Sequence, residues 1–139
     1  MNKVVFAEGG LNVLFVNCDS RRARIHRYLI ADTPHPPVDD VLVPRETTIP
    51  GVHLVTGIGE GSAETNPIEV VALQQQIIDA YRGSYHVILL DTAPFLATND
   101  ASELLSRTDL VTVVVRSGRT TAESAHRVAE VLERFAAPV

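Results

Sequence analysis

Two aspartates stand where acidic chemistry is done in α/β proteins. Asp19 follows the apolar run Val13-Leu14-Phe15-Val16-Asn17-Cys18, and Asp91 closes His86-Val87-Ile88-Leu89-Leu90. Ligands of open α/β sheets bind beyond the carboxyl ends of the strands. Two carboxylates there would suit Mg²⁺ held partly through water, or the positioning of groups in phosphoryl transfer. Each aspartate taken singly also fits a turn cap through its side-chain oxygen. The pair favours a site if the two strands are neighbours. Downstream of Asp19, residues 20–27 (SRRARIHR) carry four arginines in seven positions, Arg21, Arg22, Arg24 and Arg27. Guanidinium groups clamp oxyanions bidentately, although such a run also suits a solvated helix face. Arg116-Ser117-Gly118-Arg119-Thr120-Thr121 follows another apolar run and enters a helix, so its amides or arginines are candidates for meeting a ligand.

Other candidates carry less. Gly57-Ile58-Gly59-Glu60-Gly61-Ser62 places an acid where an anion would sit and lacks the following Gly-Lys-Ser/Thr of a phosphate loop, so it reads as a connection. The five histidines (His26, His35, His53, His86 and His126) have no metal-ligand spacing and read as structural or surface residues. Cys18 is the only cysteine, which excludes an intrachain disulfide and a CxxC site and fits a reducing compartment.

The elements that must position these residues follow from hydropathy. Asn12–Cys18, Val52–Thr56, His86–Asp91 and Val111–Arg116 are nearly continuous apolar runs of Val, Leu and Ile. That pattern predicts parallel strands buried on both faces. Asn66-Pro67-Ile68-Glu69 predicts a capped helix start, with Val70, Leu73, Ile77 and Tyr81 as its apolar stripe and Gly83 as its stop. Thr120 and Glu123 have capping-box spacing ahead of Ala125, Val128, Leu132 and Phe135, which predicts a second helix. A shorter helix is expected over Asp100–Ser106, and Asn2–Glu8 reads as the end of a helix stopped by Gly9-Gly10. The five prolines and the Asp39-Asp40 pair between Ala31 and Pro50 predict a surface excursion. The fold class expected is α/β: an open, mostly parallel sheet with helices on both faces.

Composition sets bounds. The chain has 139 residues, the size of one domain, and a formal net charge of −5, which argues against a sequence-independent grip on nucleic acid. No apolar run approaches the ~18 residues of a membrane span, and Glu8 ends the first run too early for a signal peptide, so the expectation is a cytoplasmic domain with no membrane span of its own. Of twelve basic residues only Lys3 is lysine. That rules against a phospho-acceptor receiver domain, which resembles this outline but needs a lysine after a later strand.

Several segments match one family in order. The chain resembles the cytoplasmic domain of bacterial tyrosine kinases of capsular and exopolysaccharide biosynthesis, which are P-loop NTPase-like and related to the MinD and ParA ATPases. Val13–Arg24 (VLFVNCDSRRAR) looks like the family's Walker A′ stretch. Gly51–Val55 and Asn66-Pro67-Ile68-Glu69 look like its Gly-hydrophobic strand and Asn-Pro-x-Glu-Leu-Leu helix start. Tyr85–Ala101 (YHVILLDTAPFLATNDA) looks like its Walker B region, and Val113–Thr121 (VVVRSGRTT) with Ala136-Ala137-Pro138-Val139 also fits. The resemblance implies ATP and Mg²⁺ as ligands. It makes Asp19 and Asp91 the catalytic and metal-binding positions, and Asn17, Arg21, Arg22, Thr92, Asp100 and Arg116 the nucleotide-contacting ones. It implies as partner a membrane polysaccharide chain-length protein or further copies of the chain, at the inner face of the membrane.

The departures fall at the chemistry. No Gly-rich loop ending in Gly-Lys-Ser/Thr precedes the first helix, Asn17 stands for the first Walker A′ aspartate, Ala93 replaces a proline, and no tyrosine cluster follows. Residues 1–139 therefore read as one domain missing its N-terminal P-loop strand and its C-terminal strand. Losing that central strand would make the flanking strands close up or leave backbone groups unpaired. The expected function is a truncated or degenerate tyrosine autokinase or ATPase domain, inactive alone. The alternative is a non-catalytic module docking to a membrane polysaccharide chain-length or export protein.

Overall fold

A computed structural model of the chain describes residues 2–19, 29, 43–56, 66–97 and 100–139. They fall into two compact units, residues 1–93 and 94–139. The first unit holds the sheet. Its elements are α1 (Asn2–Glu8), β1 (Val13–Asn17), β2 (Arg45–Glu46), β3 (Val52–Val55), α2 (Pro67–Tyr81) and β4 (Val87–Asp91). The strand order is β2-β3-β1-β4, with β1 parallel to both β3 and β4 and with β2 antiparallel to β3.

The apolar runs place β1, β3 and β4 as their composition predicts. Val13, Leu14, Phe15, Val16 and Asn17 are all buried, so both faces of β1 are covered. Phe15 packs with Leu29 and Leu54, and Ile49 and Leu89 close over them. β4 lies at the end of the sheet order and is only half-buried over Val87–Leu90.

The turns and caps show how local chemistry sets these elements. α1 ends in a Schellman arrangement: the Leu11 amide donates to the Phe6 carbonyl at 3.2 Å, the Gly10 amide donates to Ala7 at 2.9 Å, and Gly10 takes φ 79°. The predicted excursion lies partly outside the described residues, and its end contains a strand that the proline content concealed. β2 pairs with β3 through Arg45↔Leu54 and Glu46↔His53. Their connection closes with a type II turn over Ile49-Pro50-Gly51-Val52, in which the Val52 amide donates to Ile49 at 3.1 Å and Gly51 has φ 77°. α2 starts as expected: the Asn66 side chain accepts from the Ile68 amide at 3.0 Å and Pro67 follows at the first turn.

The second unit contains α3 (Asp100–Leu104), a 3₁₀ turn over Leu105–Arg107, and α4 (Ala122–Arg134). Among the described residues Ala101, Leu104, Leu105 and Leu132 are its buried side chains. The cap of α4 is one residue later than the sequence spacing suggests. Thr121 accepts from the Ser124 amide at 3.1 Å, whereas Thr120 accepts from the Arg116 amide at 2.9 Å. Thr120 therefore secures the turn before the helix.

Val111–Arg116 departs from its expected role as a fourth buried strand. It has no strand assignment, and Val113, Val114 and Val115 are 42%, 89% and 60% exposed. The Val111 amide donates to the Pro138 carbonyl at 2.6 Å, but no strand among the described residues pairs with the run. β-branched residues favour an extended backbone, yet a strand exists only through a ladder to a neighbour.

Candidate functional site

β1 and β4 are neighbours, and their register pairs Asn17 with Asp91. The ladder continues one step further, with the Cys18 amide donating to the Asp91 carbonyl at 2.8 Å. Asp19 and Asp91 therefore leave the sheet at the same, carboxyl, end of adjacent parallel strands. The adjacency that the two-carboxylate reading required is present.

Side chains fix this strand end. Asn17 is 3% exposed; its Oδ1 accepts from the Asp19 amide at 3.2 Å, and its Nδ2 donates to Thr56 Oγ1 at the long distance of 3.5 Å. An aspartate at position 17 could make the first of these bonds but could not donate the second. From α2, Gln74 Nε2 donates to the Cys18 carbonyl at 3.1 Å. The Cys18 thiol is buried, and that burial, with the nearby Asp91 charge, pushes it up to about 12. It is a protonated packing group at neutral pH, and the thiol form is a poor nucleophile.

The other residues singled out by sequence are distributed unevenly. Asp91 and Thr92 are exposed and Asp19 is half-buried at the strand end. Arg116 is exposed and lies in the 94–139 unit, where Asp100 opens α3. Arg21 and Arg22 lie outside the described residues, as does Gly57–Ser62. Gln74 and Thr56 were not anticipated. Gln74 had a visible signal: at helical spacing it shares a face with Val70, Ile77 and Ile78, so it is a polar residue inside an apolar stripe.

Oxygen donors dominate this end, as a hard cation such as Mg²⁺ requires. Among the described residues no group of three or more His, Cys, Asp or Glu side chains could hold a metal.

Comparison with known proteins bears on the family and the fold. EpsB of Ralstonia solanacearum, named a tyrosine-protein kinase, is 33% identical over 124 residues, which is 84% of this chain. By sequence the chain is related to bacterial tyrosine kinases. It spans 16% of EpsB and 57% of the Bacillus subtilis tyrosine-protein kinase YwqD, to which it is 29% identical. The kinase domain of the Escherichia coli tyrosine kinase ETK superposes on 97% of this chain with a TM-score of 0.78 at 23% identity, and the match covers 55% of the ETK chain. The same fold extends to the septum site-determining protein MinD of Pyrococcus horikoshii, solved with Mg-ADP, at a TM-score of 0.66 and 17% identity. No family model matches the chain. No helix among the described residues of this kinase relative is long and apolar enough to cross a membrane.

Proposed function

We propose that the chain is part of a nucleotide-site domain of the tyrosine-kinase type used in exopolysaccharide or capsule biosynthesis, with weakly held ATP and Mg²⁺ as its ligands and no phosphoryl transfer by these 139 residues alone. The observation that supports the reading is the β1–β4 register, which pairs Asn17 with Asp91, so that Asp19 follows two residues later at the same carboxyl end of the sheet. These two carboxylates, with Thr92, would hold a hydrated Mg²⁺. Such an ion, when bound, offsets phosphate charge. Asn17 orients the Asp19 turn, and Arg21 and Arg22 are the candidate phosphate contacts.

Against catalysis stands the composition. Lys3 is the only lysine and no Gly-x-x-x-x-Gly-Lys-Ser/Thr segment is present, so the loop amides and the lysine that cradle the β- and γ-phosphates have no counterpart here. The test is calorimetry with Mg-ATP, together with incorporation of labelled phosphate into the chain. The expected result is no self-phosphorylation and binding no tighter than about millimolar, weakened further in Asp19→Asn and Asp91→Asn. Micromolar binding or labelled chain would overturn the proposal.

A second reading is supported by the exposed apolar side chains Leu110, Val113, Val114 and Val115 in the 94–139 unit. They favour a docking role toward a membrane-bound polysaccharide chain-length or export protein, or toward further copies of the chain, on the cytoplasmic side. Unchanged capture of that partner by a Val113→Ser, Val115→Ser double variant would remove this surface from consideration.

A further inference from the structure

The buried face of α2 contains one residue that packing does not explain. Gln74 is 0% exposed. Its Nε2 donates to the Cys18 carbonyl, whereas its Oε1 is buried with no hydrogen-bond partner among the described residues. A carbonyl oxygen only accepts, so the amide nitrogen must face Cys18 and the side-chain orientation is settled by that bond. An orphaned buried acceptor lowers stability, and an apolar side chain of similar length would remove that cost. Gln74 is therefore a poor choice for stability at this position.

Its value lies in the peptide it holds. The carbonyl of Cys18 and the amide of Asp19 belong to one planar unit. Gln74 holds the carbonyl side at 3.1 Å, and Asn17 Oδ1 holds the amide side at 3.2 Å. With both polar groups engaged from different elements, α2 and β1, the plane cannot rotate freely. The direction in which the chain leaves β1, and so the position of Asp19, follows from that plane. The ladder bond from the Cys18 amide to Asp91 ties the preceding peptide to β4 in the same way.

We propose that Gln74 is a positioning residue for Asp19: it locks the Cys18–Asp19 peptide from α2 and thereby sets the carboxylate relative to the end of β4. The role rests on reading Asp19 as a ligand-binding carboxylate, but the structural lock is measurable without any ligand.

The experiment is amide hydrogen exchange by NMR on the full chain, wild type against Gln74→Met, with thermal melts of both. The lock predicts that exchange at Asp19 accelerates by about tenfold or more in the variant, while Leu14, Phe15, Ile77 and Ile78 exchange as in wild type and the melting temperature is unchanged or higher. In wild type, the Gln74 side-chain amide protons should exchange slowly. Unchanged exchange at Asp19 would overturn the proposal. So would acceleration spread evenly over β1 and α2 with a lower melting temperature, or a variant that fails to fold, since either would make Gln74 a general structural residue. Fast exchange of the wild-type Gln74 amide protons would overturn it as well. Micromolar binding of Mg-ADP by wild type in parallel calorimetry would count against the proposed function and leave the exchange result standing.

Discussion

The buried thiol at the strand end makes stability depend on alkaline pH in a way that can be isolated. Cys18 ionises near its ordinary 9.0 in the unfolded chain but only at about 12 in the folded one. Between those values the unfolded chain has already released the proton that the folded chain still holds, so stability falls as pH rises through this window and is unaffected below it. At about pH 10.5 the unfolded thiol is about 1.5 units past its midpoint, and at ~1.36 kcal/mol per unit the loss is about 2 kcal/mol. Other groups titrate in this range, so the comparison must be a difference. Urea unfolding of wild type and Cys18→Ala at neutral pH gives the packing cost of the substitution, and the same pair at about pH 10.5 should show that cost reduced or reversed by about 2 kcal/mol. Parallel pH profiles for the two chains would refute the reasoning, and would mean that the strand end between Asn17 and Asp19 is open to water. The result bears on function because the same closure orders the turn that carries Asp19.

Local caps give sharper tests of the helices. Asn66→Ala should cost about 1 kcal/mol through loss of the bond to the Ile68 amide. Thr121→Ala should cost a similar ~1 kcal/mol through the Ser124 amide, measured by chemical denaturation; equal effects of Asn66→Ala and Asn66→Gly would argue against the cap. At the far end of α4, Ala136 takes φ 49° while its amide donates to Glu133 and the Ala137 amide donates to Leu132. Ala136→Gly should therefore stabilise by up to ~1 kcal/mol, read as a raised denaturation midpoint, because glycine enters the left-handed region without a Cβ penalty.

Much of the first unit was legible in the chain because its signals are local. β1, β3 and β4 follow from uninterrupted runs of Val, Leu and Ile, and the start of α2 follows from Asn66-Pro67. The one-residue shift from Thr120 to Thr121 at α4 shows the limit of spacing rules: both threonines can accept from an amide, and the tight turn back to Arg116 decided which amide each received. β2 was hidden because two residues beside prolines carry no period, and only pairing with β3 makes them a strand. At the strand end the carboxylates are visible in the sequence, and of their supports only Gln74 carries a signal, as a polar residue within an apolar stripe.

The sequence by itself determined where extended and helical segments are favoured, that acidic groups follow two apolar runs, and that lysine chemistry beyond Lys3 is absent. These are properties of side-chain type and order. Tertiary structure decided that β1 and β4 are neighbours, that Asn17 stands opposite Asp91, that Gln74 reaches Cys18 across 56 positions of sequence, and that Val111–Arg116 has no ladder partner among the described residues. Hydrogen bonds between distant segments depend on which backbones meet. Hydropathy records only that a segment is fit to be buried, so the same valine-rich composition becomes the covered centre of the sheet at Val13–Val16 and an exposed, unladdered run at Val113–Val115.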